Sequence, residues 1–243
     1  LSVLCLDCPR TKKLSKEFKK RFLTYGFDKE AELRAEDVII SGFETKFNVF
    51  LNNRELGSVT LNVPGRHNAQ NALAAIAVGM ELGMSFEDTS KGLSEFRGID
   101  RRLQVKGEGG GIKVIDDYAH HPTEINAVYQ AIREMHPEQK ITVIFQPHLF
   151  SRTRDFVDDF AASLSQFDEV ILLEIYPARE EPMEGVTSSW LLDKIDNPNK
   201  KLIEKSALLE EVKNCKTGVL VALGAGDIGL EVPKIKKELA YAG

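Results

Sequence analysis

The second part of this chain alternates short apolar runs with longer amphipathic stretches, and this order constrains the fold more than any other feature. Such alternation is typical of a parallel sheet covered by helices on both faces. The sequence therefore predicts an α/β domain here. The predicted strands are 112–115, 141–145, 169–174, 201–204 and 218–223, and the predicted helices are 122–135, 153–166, 187–195, 206–213 and 227–241.

The first part of the chain has a different pattern. Residues 1–25 predict a strand, a helix and a strand, and residues 37–63 alternate in the manner of a small antiparallel meander. Two helices are predicted next, an alanine-rich one over 67–82 and another that Ser85 caps. The polar, glycine-containing segment that follows separates the two patterns. We place the domain boundary there, with domains over 1–97 and 98–243.

Composition and charge exclude several classes of protein. The net charge of −5 over 243 residues argues against a nucleic-acid partner, because phosphate contacts need clustered lysine and arginine. No apolar run reaches the roughly 18 residues of a membrane span, and no signal peptide is visible. Cys5 and Cys8 form a lone C-x-x-C without further zinc ligands, so we interpret them as buried free thiols. These features favour a cytoplasmic protein.

The strongest functional signal lies where the first predicted strand of the second part ends. Two acids, a tyrosine and two histidines occupy 116–121, just before a proline that opens a helix. Polar groups at the end of a strand are where an open α/β sheet usually binds its ligand. Alternatively, one histidine caps the helix and the other is exposed. His148 and Arg152 follow the next strand, and together the two segments predict a site for an anionic substrate.

Gly224, Gly226 and Gly229 match G-x-G-x-x-G between a strand and a helix, which is typical of dinucleotide binding. Only fourteen residues follow Gly229, however, so there is no room for the next strand and its ribose-binding acid. The pattern therefore favours a tight turn onto the last helix over an NAD-dependent oxidoreductase. No phosphate-binding G-x-x-x-x-G-K-[ST] motif occurs in the chain.

Two further pairs of residues have both a functional and a structural interpretation. Asn68 and Asn71 are three apart, so they share one face of a helical turn, where their amides suit the edge of an adenine ring. Helix capping explains asparagine there equally well. Arg101 and Arg102 suit phosphate oxygens, although a charged linker between domains would contain the same residues.

In their order along the chain, these motifs resemble those of the Mur ligases. The resemblance is closest to the member that adds L-alanine to UDP-N-acetylmuramate, and next to the murein tripeptide recycling ligase. It spans essentially the whole chain. The matching stretches are 64–75, Phe96-Arg-Gly-Ile-Asp-Arg-Arg102, Asp116-Asp-Tyr-Ala-His-His-Pro-Thr-Glu124, Phe145-Gln-Pro-His148, Ser151-Arg-Thr153, Glu174-Ile-Tyr-Pro-Ala-Arg-Glu180, Gly185-Val-Thr-Ser188 and Gly224-Ala-Gly-Asp-Ile228.

The resemblance implies a fold and a reaction. It implies the later half of a central ATPase domain over 1–97 and a Rossmann-like C-terminal domain over 98–243. Leu1 begins what looks like a strand already in progress, and the missing phosphate-binding motif fits the same interpretation. The implied reaction is ATP-dependent amide formation through an acyl phosphate in peptidoglycan synthesis. ATP, Mg²⁺, UDP-N-acetylmuramate and L-alanine are the implied ligands, with most metal ligands upstream and none assigned here.

The resemblance also implies roles for particular residues. ATP would be bound by His67, Asn68, Asn71, Arg101, Arg102 and Asp117. The amino acid and the acyl phosphate would be contacted by Tyr118, His120, His148 and Arg152, of which the last three are the expected catalytic residues. One departure is Leu149, which stands where many relatives have arginine. The alternatives are the recycling ligase and a nucleotide-binding module without catalysis.

Overall fold

The computed structural model describes residues 1–241. The chain divides into two compact units, Leu1–Gly98 and Ile99–Gly243, and each has its own sheet and hydrophobic core. No helix in the described part of the chain combines the length and the apolar character needed to cross a bilayer.

The first unit contains a five-stranded sheet in the order β1-β2-β3-β4-β5. β1, β2 and β3 are parallel, whereas β3, β4 and β5 form the antiparallel meander that the sequence predicts. The strands are β1 Ser2–Cys5, β2 Phe22–Gly26, β3 Leu33–Ser41, β4 Glu44–Leu51 and β5 Arg54–Leu61, and the helices are α1 Pro9–Ser15, α2 Arg66–Glu81 and α3 Phe86–Glu95.

Helix α2 covers this sheet with its alanine-rich face. Leu73 and Ile76 are fully buried on α2, and they belong to one apolar cluster with Phe47 and Val49 of β4. Burying side chains of this size contributes about 1.5–3 kcal/mol each. The small, buried Ala72 and Ala77 beside them let the helix approach the strands closely. This packing holds the first two turns of α2, which contain Asn68 and Asn71, against the sheet.

The second unit contains a six-stranded sheet in the order β10-β9-β8-β11-β7-β6. The strands are β6 Gln104–Gly109, β7 Ile112–Asp117, β8 Ile141–Phe145, β9 Glu169–Leu172, β10 Lys200–Leu202 and β11 Val219–Leu223. The helices are α4 Pro122–Met135, α5 Phe150–Asp155, α6 Val157–Leu164, α7 Ser188–Lys194, α8 Leu208–Asn214 and α9 Val232–Tyr241, with 3₁₀ turns at Lys205–Ala207 and Asp227–Leu230.

The last strand of the chain lies in the middle of this sheet. β11 is parallel to both β7 and β8 and separates them. Residues of α4, α6 and α7 belong to one apolar cluster, whereas residues of α8 and α9 belong to a second cluster with different side chains of the strands. Connections that leave neighbouring strands toward opposite faces open a crevice at the carboxyl ends of those strands. The crevice therefore lies at the ends of β7, β11 and β8.

The α/β fold class is confirmed, but the structure corrects several details. β6 is an antiparallel edge strand that we did not predict, because its glycines and charged residues hide the strand pattern, and it makes the sheet mixed. The helix predicted over 153–166 is two helices that meet at Phe156. The interpretation of both cysteines as buried was wrong, since Cys5 is only partly buried and Cys8 is exposed at the start of α1.

Candidate active site

The glycine-rich turn after β11 is filled by side chains of this chain. A Cβ atom on Gly226 would lie 2.7 Å from Cγ of Tyr176, and one on Gly229 would lie 2.7 Å from Cζ of Arg101. The glycines are therefore needed for the close approach of neighbouring groups. This packing favours the tight-turn interpretation over dinucleotide binding.

Arg101 connects the glycine turn to β7. Its guanidinium donates to the carbonyl oxygen of Gly224 at 2.7 Å and lies 3.4 Å from Oδ1 of Asp116. Asp116 is almost completely buried, and burial raises its pKa, although the charge of Arg101 acts in the opposite direction. Because two of its donor nitrogens have partners inside the protein, Arg101 is less available for a phosphate than the sequence suggests.

Asp117 uses both carboxylate oxygens within the protein. Oδ2 accepts the backbone N–H of Leu103 at 2.6 Å, and Oδ1 accepts that of Ala119 at 2.7 Å. Burial raises the pKa of Asp117 to about 6, against the effect of these two hydrogen bonds. The carboxylate thus joins the segment before β6 to the segment after β7. This geometry favours a positioning role over direct contact with a ribose.

Tyr118 lies beside two guanidinium groups. The Cζ atom of Arg101 is 4.9 Å from the centre of its ring, and that of Arg102 is 5.9 Å away. Arg102 keeps 46% of its side chain exposed, and its carboxylate neighbour is Glu124 at 3.5 Å. Of the two arginines, Arg102 is therefore the one whose donors remain accessible to a ligand.

The two adjacent histidines have different surroundings. His121 accepts the N–H of Thr123 through Nδ1 at 3.3 Å, which caps α4, and its ring packs on Phe156 with centroids 4.7 Å apart. His120 instead has Nδ1 2.8 Å from the carbonyl oxygen of Tyr118. A carbonyl only accepts, so Nδ1 of His120 donates, and the lone pair of neutral His120 lies on Nε2. One histidine is a helix cap, and the other presents a proton acceptor.

Glu124, in the first turn of α4, holds the backbone at His120. Its Oε2 accepts the backbone N–H of His120 at 2.9 Å. Burial acts to raise the pKa of Glu124, but this hydrogen bond and the charges of His120 and Arg102 outweigh it and lower the pKa. Glu124 therefore remains ionised at neutral pH. We did not predict a role for it, although its place in the motif Asp116–Glu124 could have indicated one.

His148 follows β8 and faces His120, with ring centroids 6.0 Å apart. Its ring stacks on Tyr176 at 5.8 Å, and its Nδ1 lies 3.5 Å from a guanidinium nitrogen of Arg152. Burial lowers the pKa of His148, and the charges of Arg152 and His120 lower it further. Because arginine only donates, Nδ1 accepts, so neutral His148 carries its proton on Nε2.

Arg152 has no carboxylate within ion-pair distance among residues 1–241, although it is partly buried. A cation in this position attracts anions, since the neighbouring protein does not neutralise it. The structure thus brings His120, His148 and Arg152 to the carboxyl ends of β7 and β8. Of the crevice residues, Gln146 and Tyr176 were not predicted, because only the fold shows that they pack against the glycine turn.

The expected adenine-binding residues lie in the first unit, at the start of α2. Asn68 donates its amide to the carbonyl oxygen of Pro64 at 2.8 Å, which leaves only its Oδ1 for a ligand. Asn71 is exposed, and its amide has no hydrogen bond with residues 1–241, so it can both donate and accept. His67, beside Asn68, is partly buried. The geometry therefore favours Asn71 as the contact to adenine.

Potential metal ligands come together elsewhere. Within the described residues, Glu169, Glu211 and Cys215 place their ligand atoms within 4.8 Å of one another, near the amino end of β9. Lys201 lies 3.1 Å from Glu169 and 2.6 Å from Glu211, so both carboxylates already have a positive partner. The crevice at the ends of β7, β11 and β8 offers arginine and histidine donors, and no such cluster of metal ligands is found there among the described residues.

Comparison with known proteins agrees with the geometry. Residues 101–230 match the profile described as "Mur ligase, glutamate ligase domain", and residues 1–79 match the one described as "Mur ligase middle domain". The chain belongs to the Mur ligase family. A curated family member named UDP-N-acetylmuramate–L-alanine ligase, from Christiangramia forsetii, is 49% identical over 89% of this chain and 48% of its own length. The chain thus spans about half the length of the curated relatives it matches.

Solved structures of Mur ligases have the same fold. UDP-N-acetylmuramate-alanine ligase MurC from Thermotoga maritima superposes with a TM-score of 0.74 and 31% identity, covering 91% of this chain and 48% of that one. The MurF ligase of the same organism, in complex with ADP, gives a TM-score of 0.73 at 18% identity over 99% of this chain and 54% of its own. The second likeness shows the fold alone.

Proposed function

We propose that this chain is the later part of an ATP-dependent ligase that joins L-alanine to UDP-N-acetylmuramate in peptidoglycan synthesis. The observation that carries the proposal is the meeting of His120, His148 and the unpaired Arg152 at the carboxyl edge of the second sheet. The 49% identity to an enzyme of that name supports the choice of substrates. In this proposal, 1–97 belongs to the central ATPase domain, 98–243 is the C-terminal domain, and the enzyme works in the bacterial cytoplasm.

The proposed reaction has two steps. The carboxylate of UDP-N-acetylmuramate attacks the γ-phosphorus of ATP, which gives an acyl phosphate and releases ADP. The amino group of L-alanine then attacks the acyl carbon, loses a proton, and inorganic phosphate leaves. Phosphoryl transfer depends mainly on positioning and on charge neutralisation. The tetrahedral intermediate of the second step is anionic, so it needs preorganised donors around it.

The three residues of the crevice match these requirements. His120 presents the Nε2 lone pair when neutral, which suits removal of the proton from the attacking amine. Neutral His148 presents an Nε2–H, which suits donation to an anionic oxygen, and its lowered pKa keeps it neutral beside Arg152. Arg152 contributes a full positive charge. We assign these roles to the three side chains, with Tyr118 beside them toward the amino acid.

The expected ATP-binding residues have distinct proposed roles. Asn71 would pair with the edge of adenine, with Asn68 and His67 beside it, and Arg102 would contact phosphate. Arg101 and Asp117 would support this site from within the protein. Mg²⁺ neutralises phosphate charge when it is bound, and in this proposal its ligands come mostly from segments that precede this chain.

Phosphate release by the complete ligase, this chain together with its preceding segments, tests the proposal. ATP, Mg²⁺ and UDP-N-acetylmuramate would be supplied, and then either L-alanine or L-alanyl-D-glutamyl-diaminopimelate. We expect release that depends on L-alanine. Release with the tripeptide alone would instead identify a recycling ligase. Nucleotide binding without release in either mixture would favour a module without catalysis.

Asn71→Ala tests the adenine contact. We expect ATP affinity to fall by about 1 kcal/mol, roughly fivefold, because one net hydrogen-bonding interaction is lost. Titration calorimetry of the complete ligase with ATP measures this. Asn126→Ala is the matched control, since Asn126 is also an exposed helical asparagine, and its side-chain oxygen accepts a hydrogen bond from Gln166. A fall in thermal stability with unchanged ATP affinity would contradict the assignment and favour a structural role.

A further inference from the structure

The carboxylate of Glu124 lies between two side chains of the candidate active site. Its Oε1 is 3.5 Å from a guanidinium nitrogen of Arg102. Its Oε2 accepts the backbone N–H of His120 at 2.9 Å and lies 3.5 Å from Nδ1 of the same residue. Among residues 1–241, no other carboxylate comes within ion-pair distance of His120. Glu124 therefore supplies the negative charge beside the proposed proton acceptor.

Helix capping does not account for this arrangement. His121 already caps α4 by accepting the N–H of Thr123, and Pro122 has no N–H to satisfy. In an ordinary capping box, an acid at the position of Glu124 accepts the N–H of the cap residue itself. Here it accepts the N–H of His120, which lies one residue before the cap. The side chain thus fixes the backbone of a residue outside the helix.

The ring of His120 is oriented by further contacts. Its Nδ1 donates to the carbonyl oxygen of Tyr118 at 2.8 Å, and its ring packs edge-on against that of Tyr118 with centroids 5.2 Å apart. Together with the backbone hydrogen bond to Glu124, these contacts define the direction in which the ring points. They leave Nε2 as the atom that can take up a proton.

A proton on Nε2 would give His120 a positive charge near another cation. His148 faces His120 with ring centroids 6.0 Å apart, and the guanidinium of Arg152 lies 3.5 Å from Nδ1 of His148. Like charges repel, so this neighbourhood opposes proton transfer to His120. The ionised carboxylate of Glu124, 3.5 Å from Nδ1, attracts the same charge and offsets that repulsion.

We propose that Glu124 is a positioning residue for the attack of the amine, which holds His120 in place and stabilises the charge that His120 gains. The inference rests on the function proposed above. In this step the amine nitrogen forms a bond to the acyl carbon, and its proton moves to Nε2 of His120. The C–O bond to phosphate breaks, and its electron pair leaves with inorganic phosphate. His120 then returns the proton to solvent, while Glu124 stays ionised.

Glu124→Gln in the complete ligase tests this role, because the amide still accepts the N–H of His120 but carries no charge. We expect kcat with L-alanine to fall on the order of tenfold to 100-fold, a part of what a general base contributes. Formation of the acyl phosphate releases no proton, so its rate should stay near that of wild type. The intermediate should therefore accumulate in a single turnover, where hydroxylamine converts it to a stable hydroxamate that can be measured.

Two further variants separate charge from hydrogen bonding. Glu124→Asp keeps the charge on a shorter side chain and should retain more of the rate than Glu124→Gln. Glu124→Ala removes both the charge and the acceptor and should retain less. Glu134→Gln is the matched control, since Glu134 is an exposed glutamate on the same helix, and it should behave as wild type.

Two results would overturn the assignment of Glu124 and leave the proposed function standing. One is a kcat of Glu124→Gln equal to that of wild type. The other is an equal loss in acyl phosphate formation and in amide formation, which is what general damage to the site or a role through Arg102 alone would give. A wild-type ligase that forms neither acyl phosphate nor amide with L-alanine would instead refute the proposed function itself.

Discussion

Arg152→Gln in the complete ligase is expected to lower kcat by about 100-fold or more, with smaller changes in the KM values for ATP and UDP-N-acetylmuramate. A loss of this size corresponds to about 2.7 kcal/mol of transition-state stabilisation. The reason is that Arg152 has no carboxylate partner in the described structure, so its charge is available to the anion that forms during acyl transfer. Arg152→Lys should lose less, because the charge remains.

The same substitution should change the pH dependence of the reaction. The charge of Arg152 is one of the causes that lower the pKa of His148, so its removal raises that pKa. Neutral His148 is the form that we expect to be active, and the neutral fraction falls as the pH drops through the pKa. The acidic limb of kcat/KM should therefore move to higher pH in Arg152→Gln.

Two results would argue against this role of Arg152. One is a rate near that of wild type, which would remove Arg152 from the reacting centre. The other is a slow variant whose acidic limb is not displaced, which would separate Arg152 from His148. Arg154→Gln serves as the control, since it removes a paired arginine from the same helix.

Sequence patterns predicted the site because parallel strands end at the same edge of a sheet. His120 follows β7 and His148 follows β8, so a parallel sheet must place both at its carboxyl edge. Continuous apolar runs predicted those strands well, since their residues are buried on both faces and have few polar interruptions. The same reasoning could not predict β6, whose exposed glycine-containing pattern is that of a loop.

Other features of the site depend on contacts that local sequence does not specify. His120 and His121 are adjacent and chemically identical, and only their neighbours make one a proton acceptor and the other a helix cap. Arg101 and Arg102 are also adjacent and chemically identical. Only Arg101 donates to the carbonyl oxygen of Gly224, which directly follows β11, so the two guanidinium groups differ in how accessible they are to a ligand. That strand inserts between β7 and β8 from the far end of the chain, and pattern recognition within a short window contains no information about it.

Asp117 has the largest expected effect on stability. Its carboxylate accepts two N–H groups that belong to buried residues, Leu103 and Ala119, where water cannot easily replace it. Each unsatisfied buried donor costs about 1–3 kcal/mol, and removal of a buried charge offsets part of that cost. We expect Asp117→Ala to lower the free energy of unfolding of the second unit by about 2 kcal/mol at pH 7. Urea titration followed by fluorescence of Trp190, the single tryptophan, measures this unit.

Asp117→Asn should reveal the titration of this carboxyl group. The pKa of Asp117 is about 6 in the folded protein, above its value in an unfolded chain, so the folded state binds more protons between about pH 4 and 6. Stability from this group is therefore fully present below about pH 4, and it is lost as the pH rises to about 6, by an amount on the order of 3 kcal/mol at most.

Asparagine does not titrate, so the stability advantage of wild type over Asp117→Asn should narrow as the pH rises through that window. Other groups that titrate there cancel in the comparison. Asp159→Asn is the control, since it makes the same substitution at an exposed position on α6. The opposite result would be a difference in the free energy of unfolding between wild type and Asp117→Asn that widens from pH 4 to 6. It would mean that the two backbone hydrogen bonds outweigh burial in their effect on the pKa of Asp117. The folded pKa of Asp117 would then lie below its unfolded value, and the carboxylate would stabilise the two loops most strongly in its ionised form.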